Sequence, residues 1–293
     1  METDGRPDWI ASMEKFKTIA IVGVGLLGGS VGLAVRKRKL ASEVIGIGRR
    51  QASLKKAKAK GAITRSTVDL ARGVADADLV VVATPVAQVA DHVAEVAQLV
   101  SPGTLVTDVG STKTEIVAAL KGRVPKGVHF IGSHPLAGGT EAGCENAAAD
   151  LFVGRPVVIT PSRTTSTEQK ERLSQFWKSL GGELFEMTPQ RHDRAVATTS
   201  HLTHLVASAL AATTSDDDLP LTSTGWFDTT RVASGDVELW QQIVESNQAP
   251  IAKSLEKFEK VISKLRQAVE QGDRRRIGRL LEEAKRKRDA VGN

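Results

Sequence analysis

The sequence is poor in cysteine and has no long apolar run. Of its 293 residues only Cys144 is a cysteine, so no disulfide can form within the chain, which is typical of a reducing compartment. No hydrophobic run approaches the roughly 18 residues that a membrane span needs. The segment Met1–Phe16 lacks a basic start followed by an apolar stretch, so we expect no secretory signal. We therefore expect a cytoplasmic protein with no membrane segment.

Composition and charge also indicate the number of domains and the kinds of partner. Hydrophobic residues make up 41% and charged residues 25%, which is ordinary for a globular protein, and 293 residues exceed what one core usually holds. The net charge is +6, but the basic residues crowd into runs at 274–276 and 285–288, typical of a solvated helix face. We therefore expect two domains and no nucleic-acid partner. No cluster has metal-ligand spacing, so we expect no metal.

Short apolar runs alternate with helical patterns over the first part of the chain. The runs predict strands, and they lie at 18–23, 43–47, 78–83 and 104–108. The patterns between and after them predict helices at 30–38, 53–60, 86–99 and 113–120. This alternation is typical of a doubly wound, mainly parallel α/β sheet of the Rossmann type.

The alternation continues for a stretch and then stops. Further strands are predicted at 129–133, 155–160 and 183–187, with a helix at 166–180. After Pro189 the pattern is helical throughout, so we predict a nucleotide-binding domain over 1–188 and an all-α domain over 189–293. One late helix carries an apolar stripe at spacings of four and three, formed by Ile251, Leu255, Phe258, Ile262, Leu265 and Val269. That stripe needs a partner surface, in this chain or in a second copy.

A glycine motif follows the first predicted strand and opens the next helix. It reads Gly23-Val24-Gly25-Leu26-Leu27-Gly28. Gly23 allows the tight turn, Gly25 lets the backbone approach a pyrophosphate, and Gly28 lets the helix pack closely on the strand. The free N–H groups of the helix start attract phosphates. The motif therefore predicts a dinucleotide site.

The kind of dinucleotide is indicated at the end of the second strand. An NAD site usually has an acid there, but residues 46–50 contain none and end in Arg49 and Arg50. Two guanidinium groups suit a 2′-phosphate, which favours NADP, with NAD possible; alternatively, the pair merely begins a basic surface helix. Thr84 and Pro85 follow the strand at 78–83 and are expected either to line the cofactor crevice or to form a plain strand-to-helix turn.

Polar residues that could carry chemistry follow two later strands. The segment 108–113 contains Ser111, and His134 precedes a proline at the end of the next strand. A histidine at a strand end beside a nicotinamide site is a natural general base. In the helical half, His204 lies on an apolar helix and Arg231 lies near Trp240. Arg231 is a candidate carboxylate clamp, and a helix-packing salt bridge is the alternative.

Several motifs occur together in a fixed order between Ile19 and Trp240. They are GVGLLGGS at 23–30, DVGSTK at 108–113, SHPLAG at 133–138, ADLFVGRPVVITP at 149–161, SHLTH at 200–204 and DTTRVASGDVELW at 228–240. With this set the chain resembles the prephenate/arogenate dehydrogenase (TyrA) family. The resemblance implies oxidative decarboxylation of a small-molecule substrate with hydride transfer to NAD(P)⁺, in tyrosine biosynthesis. It also implies a homodimer formed through the helical domain.

The resemblance assigns roles to the polar residues. His134 matches the catalytic histidine, and Ser111 matches the serine that orients this histidine and touches the ring hydroxyl. Arg231 matches the arginine that binds a substrate carboxylate, and His204 matches a second substrate-site histidine. Two further positions match residues that support the arginine and the wall of the site, namely Asp228 and Trp240.

The chain departs from the family pattern at positions that bear on the substrate side chain. Gly139, Thr140 and Glu141 stand where relatives carry Ser or Thr, then Glu, then Lys, so Thr140 and Glu141 are kept as substrate-site candidates. Thr203 replaces a common proline, and Phe227 replaces a residue that is often basic. Prephenate and arogenate both remain open as the substrate. The alternatives are a β-hydroxyacid dehydrogenase, whose lysine in a GxxxK helix is missing after residue 189, and a non-catalytic dinucleotide sensor.

Overall fold

A six-stranded parallel sheet forms the first part of the chain in the computed structural model, which describes residues 15–139 and 141–292. Its strands are β1 (Phe16–Val22), β2 (Ala41–Ile47), β3 (Arg65–Thr67), β4 (Leu79–Val82), β5 (Leu105–Asp108) and β6 (His129–Phe130). The spatial order is β3-β2-β1-β4-β5-β6, and each neighbouring pair is parallel. From β1 the chain adds strands towards one edge of the sheet, and from β4 it adds them towards the other edge. A ligand crevice opens between β1 and β4, at the carboxyl ends of the strands. The Rossmann-type prediction is confirmed.

Helices connect these strands, as the alternating pattern predicts. They are α1 (Leu26–Arg38), α2 (Gln51–Ala59), α3 (Leu70–Val74), α4 (Val86–Leu99) and α5 (Thr114–Ala119). The central strand β4 is buried along its whole length, which explains its unbroken apolar run. The short elements β3 and α3 were not predicted, because three strand residues and one turn of helix carry too little periodicity.

The predicted strand over 129–133 is divided between two sheets. β6 ends at Phe130, and after Ile131 the chain enters β7 (Gly132–Pro135), which pairs antiparallel with β8 (Pro156–Thr160). Strand β9 (Glu183–Glu186) then pairs parallel with β8, and α6 (Thr167–Ser179) connects the two. The prediction of one strand here was wrong, since hydrophobic periodicity does not report which partner a residue pairs with. His134 therefore lies on a second, three-stranded sheet.

The chain is helical from Pro189 onward. The helices are α7 (Pro189–Val196), one π-helical turn (Ala197–His201), α8 (Leu202–Thr213), α9 (Thr224–Thr230), a 3₁₀ segment (Arg231–Ser234), α10 (Val237–Glu245), α11 (Gln248–Glu270) and α12 (Arg274–Asp289). Short 3₁₀ turns also occur at Cys144–Asn146 and Leu219–Leu221. The Thr188 side chain accepts a hydrogen bond from the backbone N–H of Arg191, and Pro189 lies in the first turn of α7. This cap explains why the helical part begins here.

The apolar stripe on α11 is only partly covered within one chain. Ile251 is buried, and Leu255, Phe258 and Leu265 are half-buried. Ile262 is 45% exposed and Val269 is 62% exposed. The carboxyl-terminal part of the stripe therefore lies open. Among the described residues, no helix combines the length and the apolar character that a membrane span requires.

Candidate active site

The glycine motif forms a cradle between β1 and α1. Gly23 has φ +94°, and a Cβ there would lie 2.6 Å from the carbonyl oxygen of Ala83. A Cβ on Gly28 would collide with the carbonyl oxygen of Gly23. A Cβ on Gly25, in contrast, would meet no atom of the described residues within 4 Å. Gly23 and Gly28 are thus required by the packing of the protein itself. Gly25 borders open space, so a pyrophosphate can approach the protein backbone there.

The amino terminus of α1 is suited to an anion. Within the described ranges no side chain caps the helix at Gly25, and its first turn, which contains Leu26 and Leu27, has no acidic residue. The N–H groups of a helix start have no partner within the helix, and the helix dipole adds positive potential there. These residues therefore fit the pyrophosphate of a dinucleotide.

Two predicted pairs of residues lie at the same edge of the sheet. Arg49 and Arg50 follow Gly48, the residue after β2, and are exposed, and no ion pair to either is found in the described part of the chain. Thr84 and Pro85 lie between β4 and α4, and the Thr84 hydroxyl is 3.0 Å from Nδ1 of His92. A Cβ on Gly23 would lie 3.2 Å from Cγ2 of Thr84, so this pair borders the glycine cradle.

His134 lies in β7, is 8% exposed and is held by a second histidine. Its Nδ1 lies 2.8 Å from Nε2 of His192 in α7. Burial lowers the pKa of His134 well below its ordinary value of 6.5, and the nearby His192, Lys113 and His201 lower it further. Ser111 is half-buried in the loop after β5, and no hydrogen bond joins it to His134 within residues 15–139 and 141–292. Because its pKa is lowered, His134 is a neutral imidazole at neutral pH.

A carboxylate stands behind the two histidines. Oδ1 of Asp193 is 2.7 Å from Nδ1 of His192 and accepts the backbone N–H of Lys113 at 2.8 Å. Its Oδ2 accepts the backbone N–H of Thr114 at 2.8 Å. Burial alone raises the pKa of Asp193, but the hydrogen bonds from His192, Thr114 and Lys113 outweigh burial and leave the pKa below its ordinary value. Sequence reasoning missed His192 and Asp193, since Arg191-His192-Asp193-Arg194 has the polarity of a solvated helix.

A buried ion pair fixes the loop that carries Ser111. Asp108 and Lys113 both have fully buried side chains, and the Lys113 ammonium donates to Oδ2 of Asp108. Asp108 also accepts the backbone N–H of Gly110 at 2.8 Å and that of Ser133 at 3.2 Å. Burial lowers the pKa of Lys113, and the charge and hydrogen bond of Asp108 oppose this. The pair therefore connects the loop after β5 to the residue that precedes His134.

The predicted residues of the helical half surround a tryptophan. The rings of His204 and Trp240 stack with centroids 3.6 Å apart and planes 9° apart. Arg231 begins the 3₁₀ segment beside them and is exposed, as is Asp228 in α9. No ion pair joins Arg231 and Asp228 in the described ranges. The structure thus brings His204 and Trp240 together and leaves the guanidinium of Arg231 without an ion-pair partner among the described residues.

A chain of contacts connects the two halves of the site. Nδ2 of Asn247 donates to the backbone oxygen of Asp193 at 2.9 Å and lies 3.1 Å from Nδ1 of His201. The His201 ring in turn contacts Trp240 edge-on, with centroids 6.1 Å apart. Burial lowers the pKa of His201 to about 4, against the opposing charge of Asp193. His201 belongs to the SHLTH motif at 200–204, but neither that motif nor any other pattern gave His201 or Asn247 this role. Of the remaining candidates, Glu141 is exposed, and Thr140 lies outside the described residues.

These features define a dinucleotide-dependent dehydrogenase. They are the parallel sheet, the glycine cradle at its carboxyl edge, and a buried neutral histidine next to the helical half. The comparisons with known proteins identify its family. Residues 31–186 match the family model "Prephenate dehydrogenase, nucleotide-binding domain", and residues 188–283 match "Prephenate dehydrogenase, dimerization domain". The chain belongs to the prephenate dehydrogenase family and is an NAD(P)-dependent oxidoreductase.

Individual relatives support this placement. The chain is 32% identical over 281 residues to a prephenate dehydrogenase of Bacillus subtilis, covering 94% of this chain and 76% of the relative. A crystal structure of A. aeolicus prephenate dehydrogenase in complex with hydroxyphenyl propionate and NAD⁺ superposes with a TM-score of 0.87 at 28% identity, covering 96% and 99% of the two chains. The Synechocystis arogenate dehydrogenase superposes with a TM-score of 0.79 at 31% identity, covering 94% and 99%.

Proposed function

We propose that the protein catalyses the oxidative decarboxylation of prephenate to 4-hydroxyphenylpyruvate in tyrosine biosynthesis, with arogenate as the alternative substrate. The observation that carries the proposal is the position of His134. It is a buried, neutral imidazole, and contacts through His192, Asp193, Asn247 and His201 link it to Trp240 in the helical half. Membership in the prephenate dehydrogenase family supports the same chemistry.

His134 has two tasks in this reaction. As a neutral imidazole it accepts the proton of the substrate's ring hydroxyl while that carbon is oxidised. The bound nicotinamide supplies the hydride acceptor. When the ring carboxylate leaves as carbon dioxide, its bonding electrons make the ring aromatic, and the proton on His134 returns to the phenolic oxygen. The protein therefore binds no net proton over the cycle, and Ser111 is the candidate second contact to the oxygen.

The helical half supplies the candidate substrate contacts. Arg231 has an exposed guanidinium without an ion-pair partner among the described residues, as a bidentate clamp for a carboxylate requires. His204 and Trp240 form a flat, rigid wall. We assign supporting roles to Asp228 in α9 and to Thr140 and Glu141, which follow β7 in the sequence; Asp228 and Glu141 are exposed. The division between residues 188 and 189 then separates the nucleotide-binding domain from the substrate domain.

Purified protein with prephenate or arogenate and either cofactor tests the proposal. We expect the reduced nicotinamide to appear, measured by its near-ultraviolet absorbance, together with one carbon dioxide per reduced cofactor. Reduction without carbon dioxide, or turnover of a 3-hydroxy acid in place of both substrates, would contradict it. The ratio of kcat/KM for prephenate and arogenate decides between the two substrates.

We also propose that NADP is the preferred cofactor. No acidic residue ends β2, and Arg49 and Arg50 are exposed beside the cradle. Arg49→Ala is expected to weaken NADP binding by roughly tenfold or more, because a charge-assisted hydrogen bond to the 2′-phosphate is worth about 1.5–3 kcal/mol. NAD affinity should change little. Titration calorimetry with both cofactors measures this, with Lys55→Ala as a control that removes another exposed charge from the same surface. Equal losses for NAD and NADP would exclude the role.

The quaternary state and location are part of the same proposal. The open end of the α11 stripe, with Ile262 and Val269 exposed, suits a second copy of the chain, and the family model that matches the helical half is that of a dimerization domain. We propose a homodimer through this surface. We propose a cytoplasmic location, because Cys144 is free and buried, as in a reducing compartment. The proposed reaction needs neither a nucleic acid nor a membrane.

A further inference from the structure

We propose that His192 and Asp193 are positioning residues that hold His134 in the single tautomer able to act as a base through Nε2. The inference rests on the proposed function, because it assumes that His134 is the proton acceptor. It concerns two residues to which neither the family motifs nor the sequence pattern gave a role.

Asp193 fixes the position of the first proton in the hydrogen-bonded series Asp193–His192–His134. Its two oxygens contact three donors, which are Nδ1 of His192 and the backbone N–H groups of Lys113 and Thr114. An ionised carboxylate only accepts hydrogen bonds, so Nδ1 of His192 must carry a hydrogen. The two backbone N–H groups lie at the start of α5 and hold the carboxylate in place, so its orientation does not depend on the histidine.

The second proton follows from the first. A neutral imidazole carries one hydrogen, so Nε2 of His192 has a lone pair. The 2.8 Å contact then requires Nδ1 of His134 to donate, since two facing lone pairs would repel each other. The remaining nitrogen of His134, Nε2, is therefore the free base. With the opposite tautomer of His134, Nε2 would carry a hydrogen and could not accept a proton.

The same chain supports His134 after it accepts a proton. The Nδ1–H of His134 continues to donate to His192, while the carboxylate of Asp193 stands behind His192 and favours the positive charge. The other charged or titratable groups near His134 are Lys113, which is neutralised by Asp108, and His201. Lys113, His192 and His201 all disfavour the imidazolium form, and the negative charges nearest to these groups are the carboxylates of Asp193 and Asp108.

The tautomer can be read directly by ¹⁵N NMR of histidine-labelled protein, with the His134 signals assigned by their loss in His134→Asn. We expect Nδ1 of His134 to be protonated and Nε2 to be unprotonated in the wild-type protein. A protonated Nε2 would overturn the inference. This measurement does not depend on turnover, so a protein inactive on prephenate and arogenate would refute the proposed function and leave the tautomer to be decided by the spectrum.

Asp193→Asn tests the relay by changing its first donor and acceptor. Both oxygens of Asp193 accept a backbone N–H, and in asparagine an NH₂ group replaces one of them. With the amide oxygen on the N–H of Thr114, the NH₂ group takes the place of Oδ1, faces His192 and reverses both tautomers. We expect kcat to fall by at least about a hundredfold, by analogy with the loss of a tautomer-fixing carboxylate elsewhere. We also expect the acid limb of the kcat/KM profile to move to lower pH, because the negative charge that favours the imidazolium is lost. An unchanged limb and an unchanged His134 spectrum would refute the relay.

Two further variants separate positioning from a structural effect. Asp78→Asn is the matched control, because Asp78 accepts two backbone N–H groups, of Lys17 and Thr18, and contacts no imidazole among the described residues. It should change neither the acid limb nor the tautomer. His192→Gln keeps an acceptor for the Nδ1–H of His134 and should retain more activity than His192→Phe at equal NADP affinity. If both His192 variants lose the same activity, the acceptor is not what His134 needs.

Discussion

His134→Asn is expected to reduce kcat by about 10²–10⁴-fold, the range that a positioned general base contributes. Asparagine retains polar atoms near the position of the imidazole but cannot accept a proton at neutral pH. The hydroxyl proton then has no acceptor when the carbon is oxidised. Because His134 lies on β7 and the glycine cradle follows β1, NADP affinity should stay within about twofold, so the loss should appear in kcat.

The measurement is steady-state turnover with NADP affinity measured in parallel, and His129→Asn is the matched control. His129 lies on β6, is half-buried and is five residues from His134 in the chain, yet it has no place in the contacts described above. Wild-type kcat/KM should hold down to a pH below 6.5 and then fall, because burial keeps His134 unprotonated there. Retained kcat in His134→Asn would remove this residue from the mechanism.

Lys113→Met is expected to lower the free energy of unfolding by about 3–5 kcal/mol, the usual result of removing one partner of a buried ion pair. Asp108 would then be a fully buried carboxylate without its cation. Its remaining donors are the backbone N–H groups of Gly110 and Ser133, which do not neutralise the charge. The loop with Ser111 and the strand with His134 should loosen together, so activity should fall as well.

Urea unfolding of the apo protein measures this loss, and a double variant shows its cause. Asp108→Asn combined with Lys113→Met leaves no unpaired charge at the position of this ion pair and should be more stable than Lys113→Met alone. Lys56→Met, which breaks the exposed pair with Glu145, should leave the midpoint unchanged, since water replaces that partner. A midpoint for Lys113→Met equal to that of the wild type would show that the pair contributes nothing to stability.

Local patterns were sufficient for much of the fold. The predicted helix at 86–99 has the observed bounds of α4, since its apolar residues face the sheet at regular helical spacing. The glycine motif was readable because Gly23 and Gly28 each answer a packing requirement of the nearby backbone, and because Gly25 stands at the fixed spacing between them. The division at Ile131 was not readable, because pairing with β5 on one side and β8 on the other depends on partners distant in the chain.

The candidate site was predicted only in part, for a related reason. His134 could be singled out by its place at a strand end before a proline. His192 contacts it from 58 residues further along the chain, and Asp193 meets the backbone of Lys113 from 80 residues away. On their own helix these residues resemble a solvated face. The expected contact between Ser111 and His134 likewise depends on how the loop after β5 is held, which the buried pair of Asp108 and Lys113 decides.

The sequence by itself therefore determined most of the succession of strands and helices, the dinucleotide cradle and the histidine at the strand end, because these follow from backbone geometry and periodicity over short stretches. Only the tertiary structure decided which groups surround that histidine, how its tautomer is set and which part of the α11 stripe is exposed. Hydrogen-bond partners and burial depend on packing between elements that are far apart in the chain, and no local pattern of residues encodes that packing.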